Sequence, residues 1–142
     1  MKKIIIFLFA MLMAGICHAQ FLKISETPTK GYFPLSAQDR VTEICYSDND
    51  FEVVKIAADM LSSDIETITG RRPVKVNKPN NPAIIVGTLG KNPVLDKIIK
   101  KYSLDTESIA GKWESFIITR VFLNKKTPLL LVIGSDRRCT AY

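Results

Sequence analysis

The sequence predicts an α/β fold, a small mixed or mostly parallel sheet covered by helices. Residues 83–87 (AIIVG) and 129–133 (LLLVI) are continuously apolar, the pattern of strands covered on both faces. From Val54 to Ile68, apolar residues recur at intervals of three and four, which lays one stripe along a helix. Strand and helix patterns then alternate along the chain, as in a sheet with helices packed on it. A length of 142 residues suits one such domain and is short for two, and 46% hydrophobic residues exclude a disordered chain.

Taken in order, residues 1–19 read as a secretory signal peptide. Lys2 and Lys3 precede an apolar run over 4–16, and small residues, Cys17 and Ala19, stand three and one positions before the predicted cut. The run would span about 20 Å as a helix, short of the roughly 30 Å core of a bilayer. A lipoprotein signal acylated at Cys17 would want a small residue before the cysteine, and Ile16 is bulky. Cleavage leaves Gln20 as the N-terminus of an exported chain, periplasmic or secreted, with no membrane attachment. Residues 20–40, with Pro28, Gly31 and Pro34, form an extended lead-in with a turn.

The α/β domain is predicted over 41–142. Residues 42–46 alternate as a short strand. Asn49 offers an N-cap with Glu52 at the capping-box spacing, and Gly70 is a natural C-cap for the helix between them. Residues 73–76 are a brief extended piece and 78–82 a loop. After the strand at 83–87, Pro93 opens a second helix to about Lys101, with Val94, Leu95, Ile98 and Ile99 inward. A strand is expected over 114–122, and the buried strand over 129–133 closes the sheet. Residues 134–142 then turn out of that strand, with Ser135 or Asp136 as the cap of a helix about to begin, so the fold reads as incomplete at the C-terminus.

Composition removes several function classes. His18, the only histidine, lies in the predicted signal, so the mature chain has no imidazole for a Ser-His-Asp or Cys-His centre. Cys45 and Cys139 would be the only mature cysteines, too few to cage zinc, so no metal site is expected. Export permits them to pair, and two buried thiols are the plainer expectation. Removing Lys2 and Lys3 leaves 18 basic residues against 14 acidic, a net +4 spread along the chain. Without clustering or interleaved aromatic residues, no nucleic-acid partner is expected.

Four candidate sites arise. Gly87-Thr88-Leu89-Gly90-Lys91-Asn92 is too short between its glycines for a phosphate loop and ends on Asn92 instead of a hydroxyl residue, so a strand-to-helix turn is expected. The stretch Gly134-Ser135-Asp136-Arg137-Arg138 suits an anion better, since a helix start favours negative charge and arginine grips a carboxylate with two bonds. Against that, Asp136 can fill the cap itself and both arginines can be solvated, and a pair of surface arginines is the plainer expectation. Trp113-Glu114 has the makings of a sugar-stacking ring beside an acid, although a lone tryptophan is more often a core or rim residue. Glycoside hydrolysis by acid and base needs two facing carboxylates, and Glu114, Asp136, Asp59 and Asp64 give no such pair in sequence. No catalytic residues are predicted.

The segments VVKIAADMLSSDIETITGRRP, AIIVGTLGKNPVLDKI, GKWESFIITRV and LLLVIGSDRRCTAY resemble, in that order, the N-terminal region of glycoside hydrolase family 115, the xylan α-glucuronidases. The resemblance runs from about Val41 to Tyr142. It implies a small accessory α/β domain, similar to the one ahead of the barrel in hexosaminidases and family 67 α-glucuronidases. The barrel that follows in the family carries the catalytic carboxylates, and none of it lies in these residues. The implied reaction removes glucuronic acid, or its 4-O-methyl ether, α-1,2-linked to xylan, with inversion and without a cofactor. The implied partner is glucuronoxylan, reached through that barrel. Gly134, Ser135, Asp136 and Arg138 match the family's GSDxRGT pattern, and Cys139 departs from it where the family has glycine. The expectation is therefore a non-catalytic domain, inactive alone, with Ser135, Asp136, Arg137 and Arg138 as candidate substrate-binding residues and Arg137 or Arg138 holding the uronate carboxylate. Two alternatives are a stand-alone binding module for an acidic sugar or other anion, and a domain that docks onto a separately encoded barrel.

Overall fold

A computed structural model describes residues 25–27, 29–37 and 40–138. The predicted signal, Cys17 and Cys139 lie outside the described residues. Four strands form a mixed sheet in the order β3-β4-β6-β5, where β3 is Glu43–Cys45, β4 Ala83–Thr88, β5 Phe116–Leu123 and β6 Thr127–Gly134. β3, β4 and β6 run parallel, and β5 is an antiparallel edge strand. A short antiparallel pair, β1 (Ser36–Ala37) with β2 (Arg40–Val41), lies at the end of the lead-in.

The two helices cover opposite faces. Helix α1, Glu52–Thr69, buries Val54, Ala58 and Ile65 against Ile44, Ile84 and Val86. Helix α2, Pro93–Tyr102, buries Leu95 and Ile98 against Cys45, Ala83, Ile85, Leu129, Leu131 and Ile133. Alternate residues of β4 thus serve the two cores, and every one of its residues is buried, as its apolar run predicts. Each fully buried Leu or Ile contributes roughly 1.5–3 kcal/mol against exposure, so these two clusters hold the layers together.

The helix ends decide two expectations. Gly70 closes α1 in the left-handed conformation at φ 71°, its N–H bonded to Glu66 O at 2.8 Å. Asn49 is not the N-cap of α1. Phe51 holds that position without a side-chain cap, because the Asp50 carboxylate is drawn to the N–H groups of Phe51 and Thr88, both at 2.8 Å. Residues 73–76 are extended as expected, and Val74 O and Val76 N bond to Ile44 beside β3.

Two strands differ from expectation. β5 begins at Phe116, because Glu114 sits at φ 49° in a turn. β6 is buried at Leu129, Leu131 and Ile133 but only half-buried at Leu130 and Val132. Apolar side chains on that same face of β5, Phe116, Ile118 and Phe122, are exposed, Ile118 by 58%. Asn124 and Lys125, both at positive φ, turn β5 into β6, and Lys126 N bonds Leu123 O at 3.1 Å. Cys45 is a buried free thiol, which burial, reinforced by Glu43 and opposed by Lys75, pushes up to about 11.

Candidate functional site

Because β3, β4 and β6 are parallel, their carboxyl ends share one edge of the sheet, where ligands of open α/β sheets bind. The amino end of antiparallel β5 joins them there, Phe116 lying opposite Gly134. One side-chain and two backbone hydrogen bonds tie the emerging loops in a row. Asp50 after β3 accepts from Thr88 N, Leu89 N after β4 reaches Gly134 O at 3.0 Å, and Ser135 N reaches Ser115 O at 2.9 Å.

The loop after β4 is the strand-to-helix turn that its spacing predicts. Asn92, 1% exposed, caps α2 by accepting from Val94 N at 3.1 Å and Leu95 N at 3.2 Å, and donates to Val86 O at 3.2 Å. A Cβ on Gly87 would stand 2.8 Å from Asn92 Cβ, so the turn closes tightly over its own cap. The amide of Asn92 is thus consumed internally, in holding the turn and the helix start.

The loop after β6 is different. Residues 135–138 form a bend and turn, not a helix, so neither Ser135 nor Asp136 caps one within the described residues. Asp136 instead accepts from Arg138 N at 2.8 Å through one oxygen and from Glu114 N at 3.3 Å through the other. Ser135 Oγ accepts from Ser115 N at 3.3 Å. Arg137 and Arg138 are exposed. The Arg138 guanidinium lies 5.1 Å from the centroid of the Trp113 ring, and its Nη1 is 3.9 Å from Glu114 Oε1.

Two separate candidates in the sequence are therefore one cluster in space. Trp113-Glu114 and Ser135-Asp136-Arg138 face each other across the start of the β5–β6 ladder. The signal for this was present in the sequence. A turn at Asn124-Lys125 fixes a register that sets Ser115 opposite Ser135, one position beyond Phe116 and Gly134, but only once 116–123 and 127–134 are read as a hairpin. Trp113 is neither core nor edge-covered, being 69% exposed. Of the other acids, Asp59 accepts from Tyr46 OH at 3.4 Å on α1, and Asp64 is exposed on the same helix.

Fold and site define a three-layer α/β domain that presents a polar, aromatic loop cluster at the carboxyl edge of its sheet. No protein-family model matches the chain, and no curated protein matches it. Among solved structures it is similar to a family GH115 4-O-methyl-α-glucuronidase with specificity for decorated arabinogalactans, at a TM-score of 0.57 and 30% identity. The match covers 71% of this chain and 12% of that enzyme, so the chain spans about an eighth of the relative's length. The comparison supports a relation to the GH115 α-glucuronidases, in agreement with the resemblance read from the sequence.

Proposed function

We propose that this chain is the non-catalytic N-terminal accessory domain of an exported GH115-type α-glucuronidase. The observation that carries the reading is the 30% identity over 71% of the chain to a GH115 enzyme of which this fold is a small part. Residues 1–19 act as the signal, 20–40 as the lead-in and 41–142 as the domain. The substrate of the whole enzyme is a polysaccharide bearing α-linked glucuronic acid or its 4-O-methyl ether. Glucuronoxylan is the substrate that the family resemblance implies, and the decorated arabinogalactans of the solved relative belong to the same chemical class. The domain buttresses the catalytic barrel and lends the loop of Ser135, Asp136, Arg137 and Arg138 to the rim of the substrate cleft. Asp136 shapes the loop, and the exposed arginines turn toward the uronate carboxylate.

The test uses an intact GH115 α-glucuronidase that carries this loop. Alanine at the positions matching Arg137 and Arg138 is expected to raise KM for its glucuronidated polysaccharide roughly tenfold, with kcat little changed, because binding is removed equally from ground and transition states. An unchanged KM refutes the rim role. Release of glucuronic acid from glucuronoxylan by residues 20–142 alone refutes the non-catalytic reading.

A further inference from the structure

Trp113 is a large aromatic ring left at the surface. A large indole left 69% exposed forgoes most of the apolar burial that such a ring supplies, and this one is held in place without being covered. Ser115 Oγ donates to Trp113 O at 3.1 Å, Asp136 fixes the next peptide through Glu114 N, and the paired bonds of Ser115 with Ser135 lock the strand start beneath. Glu114 is kept in the left-handed region at φ 49°, where a residue with a side chain needs such support. Arg138, fed from the opposite loop, stands 5.1 Å from the ring centroid. Its approach to Glu114, at 3.9 Å, is too long for a hydrogen bond and leaves guanidinium N–H donors for a ligand oxygen. The cluster is a rigid backbone frame carrying an outward aromatic face, a planar cation and a carboxylate.

We propose that Trp113, Arg138 and Glu114 form a binding platform for a uronate-bearing pyranose. The apolar face of the sugar lies on the indole, its carboxylate on the Arg138 guanidinium, and a ring hydroxyl donates to Glu114. Stacking supplies contact area, and the arginine fork selects the acid. Arg137 and Lys112, exposed in the same two loops, outweigh the charge of Glu114 and Asp136 once Arg138 is counted, so an anionic sugar is drawn in and not repelled. This deepens the polysaccharide reading above and rests on it for the choice of glucuronic acid. It differs in asking the domain to bind sugar by itself.

Trp113 is the only tryptophan of the chain, so intrinsic fluorescence reports this site alone. Residues 20–142 would be titrated with glucuronosyl-xylotriose, with xylotriose, with a neutral galacto-oligosaccharide and with sodium acetate. The expected result is a saturable change in emission with the glucuronide, roughly tenfold tighter than with either neutral sugar, and none with acetate. Arg138→Ala should bring the acidic and neutral xylo-oligosaccharides to parity. Trp113→Ala, followed by ligand-observed NMR, should abolish binding of both while its circular dichroism stays that of the parent. Absence of a saturable response to any sugar overturns the proposal, as does a Trp113→Ala variant that binds the glucuronide as well as the parent. Equal affinity for the glucuronide and the neutral sugars overturns the carboxylate selection. Binding here, together with an intact GH115 enzyme whose KM ignores its matching arginines, would remove the rim role and leave this site standing.

Discussion

The turns after β4 and β6 leave the same edge of the sheet from neighbouring parallel strands, and Thr88 and Gly134 lie side by side in register. Hydrogen bonds tie the backbone of both. They differ in where the polar side chains go. After β4, Asn92 points inward and spends its amide on Val86 O, Val94 N and Leu95 N. After β6, Asp136 settles the backbone while Arg137 and Arg138 stay outside, with Trp113 beside Arg138. The first turn converts its polarity into fold. The second keeps polarity and an aromatic ring at the surface, and that is the material of recognition.

The largest expected effect lies in the sealed turn. Asn92→Ala removes a helix cap, at about 1 kcal/mol, and leaves the buried Val86 carbonyl without its side-chain donor, at a further 1–3 kcal/mol or so. A loss of about 3 kcal/mol in urea unfolding is expected, or roughly a 10 °C fall in Tm. A loss under about 1 kcal/mol would mean that this turn is not the structural one.

Asp136→Ala probes the open turn in the same way and should cost less, about 1 kcal/mol, since the bonds to Arg138 N and Glu114 N are exposed and water can replace the carboxylate. Asp136→Asn keeps an acceptor and should recover part of that loss. If Asp136→Ala matched Asn92→Ala, the two turns would be equally structural and the contrast between them would fail.

How much of this could be read beforehand follows from the range of each interaction. β4, the Gly70 cap and the Pro93 start of α2 are local, and periodicity with end signals shows them. The cap of α1 is not local. The run Ser47-Asp48-Asn49-Asp50 offers several capping residues, and a bond from Asp50 to Thr88, far along the chain, decides what that carboxylate does. In the same way an apolar run such as 129–133 cannot say that α1 leaves one side of β6 half-covered. Asn92 reads as a failed phosphate-loop residue until its place before Pro93 is recognised as an N-cap. The Trp113–Arg138 contact needs the hairpin register, which Asn124-Lys125 encodes but strand propensity alone does not.

The smallest expected change is the most informative. Trp113→Ala should leave stability within about 0.5 kcal/mol of the parent, because the ring is mostly exposed and the hydrogen bonds of that turn run through backbone atoms and other side chains. The ring contact with Arg138 and that guanidinium's pair with Glu114 are both solvent-exposed, where such interactions contribute at most about 1 kcal/mol. Urea unfolding followed by circular dichroism measures this, since the variant has no tryptophan emission. A loss above about 1.5 kcal/mol would show that the indole pins the β5–β6 loops together, and the open turn would then be structural like its neighbour. A near-zero change leaves the ring no part in holding the fold, so any loss of sugar binding in the same variant belongs to contact with the ligand.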